Sequence, residues 1–149
     1  MTADKWKVYD VFMDQVAAEG HNLAADEVRM SLFYSSYTPA LSTDTTFDVV
    51  DSAELVTTHG YTLEGLSIPC TVATTAGVLT LDSTTNPVWT ASGGTISARY
   101  AVIWNKATTT NNLIAYSLLD NAPADVSATD GNTLTVTHSS AGIFTITRS

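Results

Sequence analysis

The sequence predicts a mainly β protein: an antiparallel β-sandwich or barrel-like domain with one N-terminal α-helix. Three observations predict it. After residue 27 the chain breaks into seven or eight short, strand-like segments, with turn residues roughly every 8–12 positions. Charged residues make up 14% of the chain, well under the roughly 25% of ordinary soluble domains. Thr, Ser and Asn supply the polar surface instead, and β-branched side chains suit a pleated backbone. Only one stretch, at the N-terminus, repeats with helical period. The 149 residues suit a single domain, 1–149, with the helix in 1–20 and the β domain in 27–149.

The helix is expected over DKWKVYDVFMDQVAA (4–18). Stepping about 100° per residue, Trp6, Tyr9, Phe12, Met13 and Val16 share one face, and Lys7, Asp10 and Asp14 the other. Glu19-Gly20 provides the stop. EVRMSLFY (27–34) then alternates with period two: Val28, Met30, Leu32 and Tyr34 point one way, Arg29, Ser31 and Phe33 the other. A polar connection (35–46) is punctuated by Pro39. A short helix beginning after Asp51, capped by Asp51 or Ser52, fits the segment 47–56. HGYTLEG (59–65) reads as a turn anchored by Tyr61. LSIPCTVA (66–73) and GVLTLD (77–82) are candidate strands. So are the Asn86-Pro87-Val88-Trp89 piece and a central hairpin of 95–105 with 112–119. Segments 125–129 and 133–138 are expected to pair around Asp130-Gly131, a strong hairpin dipeptide. IFTIT (143–147) closes the chain.

Arg99 sits inside the strand pattern 96–104. On strict alternation it shares the less apolar face with Ser97, Ala101 and Ile103, opposite Ile96, Ala98, Tyr100, Val102 and Trp104. A guanidinium on a half-covered face must be paired or reach water. The expectation is an ion pair of Arg99 with Glu54, or with Glu64, pinning 50–65 onto the sheet. The other reading is an arginine that snorkels along its own stem to solvent.

Reactive chemistry is thin. The net charge of −9 and a pI near 4.3 repel nucleic-acid phosphates and anionic lipid, so neither is an expected partner. No apolar run nears the ~20 residues of a membrane span, and no signal-peptide pattern opens the chain, which suggests synthesis in the cytoplasm. Cys70 stands alone in an apolar stretch and reads as a buried thiol. His21, His59 and His138 lack metal-ligand spacing. There is no Gly-x-Ser-x-Gly elbow and no phosphate-cradling glycine loop. Asp44, Asp48 and Asp51 cluster without the pattern of a calcium loop. The expectation is a non-enzyme with no catalytic residue, metal or cofactor.

Several motifs, in order, carry a likeness. Ser35-Ser36-Tyr37-Thr38-Pro39 follows the RMSLFY strand. Glu54-Leu55 and Gly60-Tyr61 come next, then Pro87-Val88-Trp89, the ARYAVIW strand (98–104), LIAY (113–116) and SAGIFT (140–145). Nearly the whole chain thereby resembles a family of small tailed-bacteriophage structural proteins, similar to capsid decoration (cement) proteins. It departs at Thr58-His59-Gly60, where the family turn is richer in glycine, and at Glu64, where a glycine is expected. The resemblance implies a virion protein on the capsid surface. Its partners would be the major capsid protein and neighbouring copies of itself, in an arrangement such as a trimer. The contact surface is expected on the N-terminal helix and the 35–50 loop, with Trp6, Tyr9, Phe12 and Tyr37 as aromatic anchors. A tail or baseplate component is the alternative within the particle. A carbohydrate-binding β-sandwich using Trp89 or Trp104 to hold a host glycan is the alternative of another class.

Overall fold

The structure is a computed structural model and describes residues 2–18, 20–107 and 109–147. It is mainly β, with several antiparallel sheets and two short helices, and no sheet closes into a barrel. The largest sheet has five strands. In spatial order they are β1 (Lys7–Val8), β9 (Leu113–Leu118), β8 (Tyr100–Asn105), β2 (Val28–Phe33) and β3 (Leu66–Ser67). A three-stranded sheet orders β12 (Phe144–Thr147), β5 (Val78–Ser83) and β4 (Cys70–Thr75). Two ribbons complete the β structure. One pairs β10 (Val126–Ala128) with β7 (Ile96–Ala98), the other β11 (Thr133–Thr135) with β6 (Val88–Thr90).

The five-stranded sheet is buried on both faces. Val28, Met30, Leu32, Ala101, Ile103 and Ala115 join the larger core, which also takes Leu81, Trp89, Ile96 and Leu134 from the smaller sheets. Phe33, Val102, Trp104, Leu113 and Tyr116 look into a second, aromatic core with Tyr9, Tyr37, Phe47 and Val50. Phe47 stacks on Trp104 with ring centroids 4.0 Å apart. Near-continuous apolar runs in β8 and β9 are what two-sided burial requires.

The N-terminal helix is shorter than expected. Helix α1 spans Asp10–Ala17; the residues before it are extended. Lys7 lies opposite Tyr116 and Val8 opposite Ala115, and the Asp4 amide donates to the Leu118 carbonyl at 2.8 Å. An open flank on β9 offers these backbone groups ladder partners, whereas extending a short helix by one turn gains little. The shared apolar face therefore splits. Phe12 is buried, while Met13 and Val16 are more than 40% exposed.

The strand expected through 96–104 breaks at Arg99. β7 and β8 join different sheets, and Arg99 donates its backbone N–H to Phe33 O and accepts from Leu119 N. Alternation changes parity there. Ile96 and Ala98 share the larger core with Ala101 and Ile103, not with Val102 and Trp104. The short helix of the middle segment also lies earlier than expected: α2 is Phe47–Val50, and Asp51–Ala53 continue as a 3-10 turn. The Asp130-Gly131 turn forms, with Gly131 at φ 79°, but its arms splay. β10 pairs with β7 and β11 with β6, because each arm finds a partner strand elsewhere. The β4–β5 hairpin closes tightly on Ala76-Gly77, both at positive φ, as a two-residue primed turn requires.

Candidate functional site

Three of the four expected aromatic anchors lie inside the chain. Tyr9, Phe12 and Tyr37 are buried, and only Trp6 is partly exposed, against the larger core. This corrects their placement as surface contacts. Tyr9 and Tyr37 instead form a relay, with hydroxyls 2.7 Å apart, and Tyr37 donates to Asp44 Oδ2 at 2.8 Å. Since Tyr37 gives its proton to Asp44, Tyr9 donates to Tyr37. The relay ties the 35–46 connection to the N-terminal segment, and burial pushes both hydroxyls to higher pKa. Trp89 and Trp104 are buried as well, so neither presents a ring face on which a sugar could stack.

The expected Arg99–Glu54 ion pair does not form. Arg99 Nε reaches Asp125 Oδ1 at 2.7 Å, because the parity switch turns its side chain toward the loop before β10. A different arginine holds the 50–65 segment. Arg29, on β2, donates from Nε to Glu64 O at 2.8 Å and from Nη2 to Gly65 O at 2.9 Å. Its Nη1 meets Glu27. The planar fork suits two adjacent carbonyls. Lys106 pairs with the Glu64 carboxylate from the other side. Glu64 has φ 68°, the left-handed backbone that favours glycine. Gly65 has no room for a side chain: a Cβ there would lie 1.9 Å from Met30 O.

Glu54 closes this segment from beneath. It is buried, bridges to Phe33 in the backbone, and accepts the Tyr61 hydroxyl at 2.6 Å. Tyr61 in turn accepts the Leu32 amide at 3.0 Å. Ser31 receives the Trp104 indole N–H at 3.1 Å, and its hydroxyl favours the charged form of the Glu54 carboxylate. Loss of water raises the Glu54 pKa, and the hydroxyl donors offset part of that rise.

Among polar neighbours, three apolar side chains stay exposed on or just before the clamped segment. Val49, Val56 and Leu63 are 60%, 55% and 50% exposed. Two of them are tied down through their backbone amides. The Tyr34 hydroxyl accepts the Val56 amide, and the Leu63 amide donates to Thr57 Oγ1. A hollow of about 420 Å³ joins Leu63 to Asp48, Asp51 and Ser52 beside α2. Leu63 thus stands beside carboxylates, on a segment whose backbone is held by Arg29. The sequence hides this exposure because Val49, Val56 and Leu63 are seven residues apart, like one face of a helix, yet only Val49 is helical and the other two lie in the loops that follow.

Chemistry for turnover is not assembled among the described residues. No group of three His, Cys, Asp or Glu could hold a metal. Asp44 is engaged by Tyr37 and the Ala40 amide, and Asp48 by Asn111. Cys70 is half-buried, and burial pushes its thiol up to about 11, the opposite of an activated nucleophile. No described helix is long and apolar enough to cross a membrane. No family model, curated protein or solved structure matches this chain.

Proposed function

We propose that this chain is a bacteriophage virion structural protein, a capsid decoration (cement) protein. It binds the outer surface of the major capsid lattice and stabilises the head. The observation that carries the reading is the exposure of Val49, Val56 and Leu63, each half or more exposed, on or beside a segment held from behind by Arg29 and Glu54. A surface already rigid loses little conformational entropy when it docks. Apolar area buried at a joint contributes about 25 cal/mol per Å², and many copies on one shell add their contacts through avidity. The collinear resemblance across nearly the whole sequence supports the same setting.

The experiment is reconstitution. Purified protein is added to expanded heads of the parent phage that lack it, and head melting is followed. The expected result is saturable binding and a raised melting temperature. The double variant Val56→Asp/Leu63→Asp is expected to lose head binding while the free protein melts within about 2 °C of the original, since exposed substitutions change stability little. Cryo-electron microscopy of the particle then gives the position. Density on the tail or baseplate would replace the capsid reading, and absence of the protein from purified particles would end the virion reading altogether.

A further inference from the structure

One sheet edge and the approach to another line one cleft. β1 is the outer strand of the five-stranded sheet and β12 the outer strand of the three-stranded sheet. The segment 3–6 leading into β1 and the segment 143–145 leading into and through the start of β12 line the same hollow, about 580 Å³ in volume, with 136–139, 141–142 and Ser117 completing its wall. Trp6 makes no backbone–backbone hydrogen bond among the described residues. Edge strands present unpaired N–H and C=O groups that template another strand.

The polar lining is incomplete in a consistent way. Of the five described cations, Lys7, Arg29, Arg99 and Lys106 each pair with a carboxylate of the chain, and Lys5 does not. Lys5 lies on this cleft. The one carboxylate in the lining, Asp4, is already bound by Lys7 at 3.0 Å. His138, with a side chain only 8% exposed, sits in the same wall. Its Nε2 meets Ser83 O at 2.8 Å and Asp82 Oδ1 at 3.2 Å. Both are acceptors, so Nε2 donates to them, while Nδ1 is buried without a partner among the described residues. The apolar surfaces of Trp6, Val136, Ile143 and Phe144 share the cleft.

We propose that this cleft is a slot for an extended peptide of another protein, which adds a strand along β12, facing Trp6, and sets an acidic side chain against Lys5. Main-chain hydrogen bonds to the β12 edge supply affinity, and alternate side chains supply specificity: one apolar residue toward Trp6, one carboxylate toward Lys5. The slot needs no virion setting, and it lies apart from Val49, Val56 and Leu63.

A random library of twelve-residue peptides, selected against the full chain, tests it. The expected outcome is a consensus alternating apolar and polar residues with one Asp or Glu. Such peptides should slow amide hydrogen exchange in 3–6 and β12, and should fail to bind when alternate residues are N-methylated. Lys5→Glu, an exposed and unpaired position, should fold normally and bind the selected peptides about tenfold more weakly, because reversal replaces an attraction with a repulsion. The proposal is overturned if no consensus emerges, if Lys5→Glu binds equally well, or if protection falls elsewhere. It is equally overturned if the free protein is a dimer in which those amides are already protected, since a second copy would then be the occupant.

Discussion

Tyr61 uses its single oxygen twice, accepting from Leu32 and donating to Glu54. Tyr61→Phe strands a buried carboxylate and a buried amide together, and should cost about 1–3 kcal/mol, read from urea unfolding. Glu54→Gln keeps an acceptor for Tyr61 and tests the charge alone. The folded chain holds the Glu54 proton more tightly than the unfolded chain, whose ordinary value is 4.5. The stability from that proton is complete below pH 4.5 and is lost as pH rises through the higher folded value. Glu54→Gln should therefore gain on the original protein between about pH 4 and pH 7, and a slope of opposite sign would show that burial does not govern this carboxyl. The two arginines give a second contrast. Arg29 holds two backbone carbonyls in a part-buried site, whereas Arg99 forms one pair with a carboxylate that is 42% exposed. Arg29→Met should cost about 2 kcal/mol and loosen exchange in 50–65; Arg99→Met should cost under about 1 kcal/mol.

The N-terminal element behaves as part of the core. Phe12 packs edge-on against Phe144, centroids 5.4 Å apart, and links α1 to the three-stranded sheet. Phe12→Ala should cost about 3–5 kcal/mol, while Met13→Asp on the outer face should stay within about 0.5 kcal/mol. Deleting residues 1–18 removes Phe12 and Tyr9 and bares the flank of β9, so the remainder should precipitate rather than persist as a soluble β domain. A soluble, cooperatively melting remainder would show that the element is an appendage. Much at this scale was legible. The alternation in 28–33 and the closing strand follow from period, whereas the β4–β5 turn falls at Ala76-Gly77, later than the Thr74-Thr75-Ala76 connection expected from the sequence. What was not legible depended on competition for partners. Residues 4–9 have a good helical face, but β9 offers them a ladder; the Asp130-Gly131 turn is sound, but its arms are claimed by β6 and β7.

Over the whole molecule, the net charge of −9 is spread across a chain in which four of the five described cations are already neutralised by neighbours. The remaining carboxylates repel one another. Raising salt from about 10 mM to about 1 M shortens the screening length from about 30 Å to about 3 Å and should raise the melting temperature. A fall would mean that the ion pairs outweigh the repulsion. The same excess of carboxylates sets Asp48 and Asp51 beside Leu63, and a complementary partner surface would be basic around apolar sockets.

The sequence alone determined the class of architecture, because periodicity and turn residues are local and each strand states its own apolar faces. It also determined the acidity and the scarcity of reactive groups, which are sums over residues. Tertiary structure decided which arginine grips the 50–65 segment, which aromatics are buried and which apolar side chains remain outside. Those outcomes turn on the parity switch at Arg99 and on which strands compete successfully for each edge. Both are set by contacts between residues far apart in the chain, and no local pattern encodes them.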